Sequence, residues 1–177
     1  GIYVEYAPRF GKTYREHSEF QSHGGILKLA YPITPRLQIE SNTHLFWEET
    51  RLPGGLRTAD YEVDRFQSVR PYDRFRGHRE GSNLKLRWKP RANHELQVIA
   101  FYSHSVRSSV MASNMDRNQG MPVTLLTSQP RVFDVIGLEP RYALRVDHKR
   151  MFQDISIGMR GVYETARLRE FWSDLPA

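Results

Sequence analysis

The stretch Gly25-Ile-Leu-Lys-Leu-Ala-Tyr-Pro-Ile-Thr-Pro-Arg-Leu-Gln-Ile-Glu-Ser-Asn-Thr-His-Leu-Phe-Trp47 reads as strand, tight turn, strand. Leu27, Leu29 and Tyr31 alternate with Ile26, Lys28 and Ala30. The segment Tyr31-Pro32-Ile33-Thr34-Pro35 breaks the pattern, and Leu37, Ile39, Ser41, Thr43, Leu45 and Trp47 then alternate with Gln38, Glu40, Asn42, His44 and Phe46. A period of two places successive side chains on opposite faces of an extended chain. One face is apolar and ends in aromatic rings. The other carries Lys28, Gln38, Glu40, Asn42 and His44, an unusually wet set for the inside of a soluble protein.

The same unit returns twice. Leu84, Leu86 and Trp88 alternate with Asn83, Lys85, Arg87 and Lys89; a turn is expected at Pro90-Arg91-Ala92-Asn93, and Leu96, Val98, Ala100 and Tyr102 then alternate with Glu95 and Gln97. A third pair spans Val132 to Val146 and Met151 to Thr165 around the turn Asp147-His148-Lys149-Arg150, with Ile136, Leu138, Tyr142, Leu144, Val146, Ile155, Ile157, Met159 and Tyr163 on one face. Pro140 predicts a bulge or a weak point in the ladder, because proline has no N–H to donate. Long polar connections separate these hairpins: Ala7 to His23, Glu48 to Arg79, and Ser103 to Arg131 with Asn118-Gln119-Gly120 and Pro122. Gly1 to Tyr6 reads as the end of a strand and Ala166 to Ala177 as the start of a loop, so the chain is expected to be an internal piece of something larger.

Composition narrows the alternatives. At 177 residues, 39% hydrophobic and 26% charged, with a mean hydropathy of -0.62, the chain has little from which to build a large apolar core. No run approaches the ~18 apolar residues of a membrane-spanning helix, a test that a spanning strand escapes. The absence of Cys excludes a disulfide framework and a thiolate metal site. A net charge of +6 would suit a polyanion, but acids are interspersed with the bases along nearly every segment and no nucleic-acid partner is expected. The sets Glu16-His17-Ser18, His104-Ser105 and Asp147-His148 put nucleophile or acid beside histidine. Neighbours on a strand point to opposite faces, so no enzyme activity, catalytic residue or metal site is predicted from them.

Short turns at one end of the sheet and long loops at the other are the arrangement of an outer-membrane barrel. The segments reach the roughly 9 to 11 residues that a tilted membrane strand needs. Tyr31, Trp47, Trp88, Tyr102, Tyr142 and Tyr163 stand near strand ends, where amphipathic rings would mark the lipid–water boundaries. A soluble antiparallel sandwich is the alternative, since it could bury the apolar face against a second sheet. Lys28, Glu40, Lys85, Arg87, Lys89, Glu95, Arg145 and Arg160 could not all be buried without water or each other. The expected fold is therefore all-β, a transmembrane antiparallel barrel segment of about seven meander strands with short periplasmic turns and long extracellular loops. About seven strands do not close a wide wet barrel.

Three further stretches carry a family resemblance: Tyr14-Arg15-Glu16-His17-Ser18, Leu52-Pro53-Gly54-Gly55-Leu56, and Gln67-Ser68-Val69-Arg70-Pro71-Tyr72-Asp73-Arg74-Phe75. With the opening hairpin they make the chain resemble TonB-dependent outer-membrane receptors, most closely those of the ferric-citrate type, over essentially all of residues 1–177. The resemblance implies a partial barrel domain from a receptor of about 22 strands, located in the outer membrane of a Gram-negative bacterium and in contact with its lipid. The plug, the TonB-contacting box and the remaining strands lie outside this sequence. It further implies import of a ferric chelate, ferric citrate or a similar siderophore, as cargo, with no resident cofactor and with energy passed through TonB via the plug. A passive porin-like barrel is the alternative without energy coupling.

Such chelates are anionic, and the planar forks of arginine suit carboxylate oxygens. In the loop Glu48 to Arg79 the candidates for ligand binding are Arg57, Arg65, Arg70 and Arg74, with Tyr72 and Phe75 able to close over a ligand and Arg79 nearby. Asp60, Glu62, Asp64 and Asp73 offer these arginines an alternative in pairing within the loop. Arg87, Arg145 and Arg160 are expected on the lumenal face, paired with barrel acids or with plug residues.

Overall fold

The computed structural model describes residues 1–112, 125–149 and 151–174. The predicted turn formers Asn118-Gln119-Gly120 and Pro122, together with Arg150, lie outside them. The elements are β1 (Ile2–Lys12), β2 (Glu19–Thr34), β3 (Leu37–Arg51), α1 (Thr58–Val63), β4 (Arg74–Arg91), β5 (His94–Ala112), β6 (Leu125–Asp147), β7 (Phe152–Gly158), β8 (Gly161–Leu168) and β9 (Phe171–Asp174). All nine strands form one antiparallel sheet in the order β1-β2-β3-β4-β5-β6-β7, with β8 and β9 also paired to β6.

The pieces β7, β8 and β9 are one strand, because their residues continue a single register along β6. The ladder is interrupted opposite Pro140 and again opposite Pro130. At each gap the proline carbonyl still accepts a bond, from the Met159 N–H at 3.1 Å and the Arg169 N–H at 3.1 Å. The returning bond is missing because proline has no donor. Pro140 is thus a weak point and not a bulge, and the meander has the seven strands expected.

Strands run longer than the alternation in the sequence suggests: β4 has 18 residues, β5 19 and β6 23. The connection expected over Ala7 to His23 shrinks to residues 13–18, and that expected over Glu48 to Arg79 to residues 52–73. The ends of the third, predicted over Ser103 to Arg131, are strand up to Ala112 and from Leu125. Alternation fades there because both faces become polar, while cross-strand bonding continues. The short turns are also tighter than expected: Pro32 belongs to β2, and Pro35-Arg36 and Ala92-Asn93 form the bends.

Register assigns every side chain to a face. Leu29 of β2 stands opposite Ile2 and Ser41; Ile39 opposite Tyr31 and Leu86; Leu84 opposite Ser41 and Ala100; Leu138 opposite Ala100 and Gly161. These lie on one face, joined by Leu27, Leu37, Leu45, Leu96, Val98, Leu144, Ile155 and Ile157. Tyr31, Trp88 and Tyr142 fall on this face toward the short turns, and Trp47, Tyr102 and Tyr163 toward the long loops. An apolar band with an aromatic at each edge is what a sheet facing lipid requires. Nothing among the described residues covers it, and Leu84 is 51% and Tyr163 67% exposed. A sandwich would need a second sheet there, and the described residues form one sheet only.

Candidate functional site

The opposite face is polar, and its charges divide by height. In the half nearer the short turns the charges find partners: Lys85 with Glu40 at 3.0 Å, Arg87 with Glu95 at 2.9 Å, Lys89 with Glu95 at 3.4 Å, Arg145 with Asp154 at 2.8 Å and Arg160 with Glu139 at 3.0 Å. Lys28 lies over the Tyr3 ring at 5.3 Å. Each pair joins residues on one strand or on neighbouring strands, so the alternation that makes the face polar also brings opposite charges together. The expected pairing of Arg87, Arg145 and Arg160 with acids of the wall is present.

Nearer the long loops the same face changes character. Arg107 of β5 stands directly opposite Arg131 of β6, and Arg79 of β4 lies diagonally beside them through its partner Ser105. Among the described residues no carboxylate pairs with any of the three. Gly77 is opposite Arg107, and the Glu48 side chain leans into the space a Cβ at Gly77 would take, 2.7 Å from that position. Phe75 shares this face, with the Arg107 guanidinium 5.9 Å from its ring centre. Like charges directly opposite across a ladder are unfavourable, so Arg79, Arg107 and Arg131 form a surface that an anion would stabilise. Arg107 and Arg131 escaped sequence reasoning because Ser103 to Arg131 read as a polar connection. Continuing the period-two pattern past Tyr102 would have placed Arg107 on the same face as Lys85 and Arg87.

Above this wall the connections pack on one another. Arg15 donates to the carbonyls of Gly54 at 2.5 Å, Pro53 at 3.3 Å and Gln67 at 2.8 Å, and the Glu16 N–H donates to the Phe66 carbonyl at 2.8 Å. Gly54 has φ 75°, as the Pro53-Gly54 turn predicted from sequence requires, and the Arg70 side chain fills the space a Cβ there would occupy. Arg70 donates to the Ala112 carbonyl at 2.8 Å and pairs with Asp73 at 3.4 Å; the Asp73 carboxylate accepts the Ala112 N–H at 2.6 Å. His17, at φ 52°, donates through Nε2 to the Asp73 carbonyl at 2.9 Å. Ser18, Asp73 and Ala112 are among the few buried residues of the described chain, at 5%, 6% and 5% exposure. Burial pushes the Asp73 carboxyl above the ordinary carboxylate range, against the opposing pull of the Ala112 N–H, Arg70 and His17. This packing ties the loops to the upper end of the sheet, where Ala112 closes β5.

The five residues singled out from sequence are not brought together. Arg70 is locked as described. Arg57 precedes α1, with its N–H bonded to Asp60 Oδ2 at 3.1 Å. Arg65 lies over the Phe66 ring at 4.8 Å, beside a recess of about 390 Å³ that also involves Tyr14, Arg15, Leu56 and Tyr61. Tyr72 is 40% exposed. Arg74 opens β4 opposite Arg51, which puts it on the side of the apolar band, away from the polar face. His104 pairs with Asp134 at 2.6 Å on that same side while Ser105 faces the other way, so this neighbouring pair does not assemble a nucleophile and base.

Among the described residues no helix is long and apolar enough to cross a membrane. An all-β sheet with an uncovered apolar band is compatible with an outer-membrane barrel. No protein-family model matches the chain. Among solved structures it is similar to the ferric citrate transporter FecA in the unliganded form, with a TM-score of 0.82 and 28% sequence identity over 98% of this chain and 25% of that one. The chain thus spans about a quarter of the length of that transporter, and its meander corresponds to a segment of such a barrel.

Proposed function

We propose that this chain is part of the wall of a TonB-dependent outer-membrane receptor that imports an anionic ferric chelate, ferric citrate or a similar siderophore. The observation that carries the reading is the likeness to a ferric citrate transporter over 98% of the chain. The guanidiniums of Arg79, Arg107 and Arg131, which pair with no carboxylate among the described residues, support an anionic cargo, because they stand on the polar face below the loops where such a cargo would enter. The loop residues Arg57, Arg65 and Tyr72 stand above them and would meet the chelate first. Arg70 would hold the loop in shape, and its earlier grouping with the contact residues passes to this structural role. Coupling to TonB would be made by parts of the receptor outside this chain.

The test uses the complete receptor in iron-limited cells. Uptake of ferric citrate is expected to require TonB, and uptake unchanged by its loss would leave a passive barrel. Replacing both Arg107 and Arg131 with Gln is expected to weaken chelate binding at least ~10-fold, on the scale of two charge-assisted contacts. Unchanged affinity would remove the wall arginines from the site.

A further inference from the structure

On the membrane side of the sheet, above the aromatic edge of the apolar band and away from the polar face, lies a basic cluster. Arg51 of β3 stands directly opposite Arg74 of β4, and Arg76 follows two positions along on the same face. Register is unbroken along β3 and β4 between these residues and Ile39 and Leu86 of the band, so all point to the same side. Two acids answer part of the charge: Glu19 lies 3.5 Å from Lys12 and 3.8 Å from Arg51, and Glu49 lies 3.1 Å from Arg76. Arg74 has no carboxylate partner among the described residues. Four cations and two acids leave the patch at about +2, exposed, with two guanidiniums facing each other across the ladder. Like charges so placed are unfavourable unless an anion lies between them.

We propose that Arg51, Arg74 and Arg76 bind the phosphate groups of lipopolysaccharide in the outer leaflet. The inference rests on the outer-membrane reading above. Position selects this occupant. A residue on the lipid-facing side beyond the upper aromatics meets head groups and not the lumen, and the glycolipid of that leaflet presents phosphates at that level. The chemistry agrees, since guanidinium forks bind phosphate oxygens in pairs, and arginines on neighbouring strands can grip one phosphate from two sides. Arg74, a ligand candidate when read as a loop residue, becomes a lipid contact once its face is known.

The experiment takes the complete receptor carrying this chain, purified in detergent, and follows binding of bisphosphorylated lipid A by native mass spectrometry. The variant R51Q/R74Q/R76Q is expected to bind at least ~10-fold more weakly, each juxtamembrane cation contributing to attraction for anionic lipid. The parent is expected to bind dephosphorylated lipid A as poorly as the variant binds the intact lipid. R36Q, at the short-turn end, is expected to match the parent. Should the triple variant fail to fold, R74Q alone, which has no ion pair among the described residues to lose, is expected to weaken binding about threefold. Equal binding of intact lipid A by parent and variant, or of intact and dephosphorylated lipid A by the parent, overturns the proposal. TonB-dependent chelate uptake is read separately on the parent, so loss of the transport reading leaves the lipid result standing.

Discussion

Asp73 places a carboxylate where water is nearly absent, and the neighbours that compensate for it define what the outer loops can do. Its acceptor bond from the Ala112 N–H and its pair with Arg70 tie the β3–β4 connection to the last residue of β5, while its own carbonyl holds His17 of the β1–β2 connection. Burial is the largest influence on this carboxyl and raises it. A carboxyl raised by folding contributes stability that is fully present below the ordinary value near ~4 and is lost as pH rises through the elevated one. The latch is therefore expected to tighten on mild acidification. Amide exchange of Ala112, corrected for intrinsic rate, should slow as pH falls across that window, and Asp73→Asn should abolish the dependence. An exchange rate that instead quickens on acidification would mean that the Arg70 pair, and not desolvation, governs the group. None of this was legible from sequence. Arg70 and Asp73 sit in a run rich in charge, where solvated pairing and ligand binding read alike; only the fold reveals that Ala112, 39 residues on, completes the site.

At the level of elements, the sequence declared the hairpins and hid their ends. Period two is visible only while one face is apolar, as from Leu37 to Trp47 and from Leu96 to Tyr102. Beyond, residues such as Glu49, Arg76, His104 and Asp134 make both faces polar, and the strands continue on backbone bonding that leaves no trace in composition. The two prolines of β6 show the converse, a local signal with a local effect. Pro140 and Pro130 each delete one donor toward the neighbouring strand and split it into β7, β8 and β9 without shifting its register. Replacing Pro140 with Val should restore the missing bond to Met159, a gain of about 0.5–1.5 kcal/mol, reduced by the greater freedom of the unfolded chain, about 0.4–1 kcal/mol. The net change in unfolding free energy is expected to lie between about -0.5 and +1 kcal/mol. Exchange at Gly158 to Gly161 should slow. Urea titration of the refolded receptor in liposomes measures the first and hydrogen exchange the second; a destabilisation beyond ~1 kcal/mol would show that the ring packs in a way the ladder does not require.

The whole molecule turns on which of two faces meets which solvent, and alternation in the sequence left that choice open. The structure resolves it through what is missing from the apolar side and present on the other. The band from Trp88 and Tyr142 to Tyr102 and Tyr163 is covered by nothing among the described residues, while Lys85, Arg87, Arg145 and Arg160 are each matched by an acid on their own face. A soluble protein could not leave such a band open, and a lipid-facing sheet could not leave those charges on the other side dry. Leu84 and its chain neighbour Asn83 put the assignment to a direct test, because they share one height and point opposite ways. Leu84→Arg sets a guanidinium into hydrocarbon and is expected to cost ~2–4 kcal/mol near the midplane. Asn83→Arg adds the same charge to the wet side, next to Asn42 and Phe101, and is expected to cost under ~1 kcal/mol. Unfolding of the complete receptor in liposomes, compared for the two variants, reads the difference as a ratio of folded populations of at least ~5-fold. Equal costs would mean that both faces see the same solvent, and the barrel assignment of this segment would fall with them.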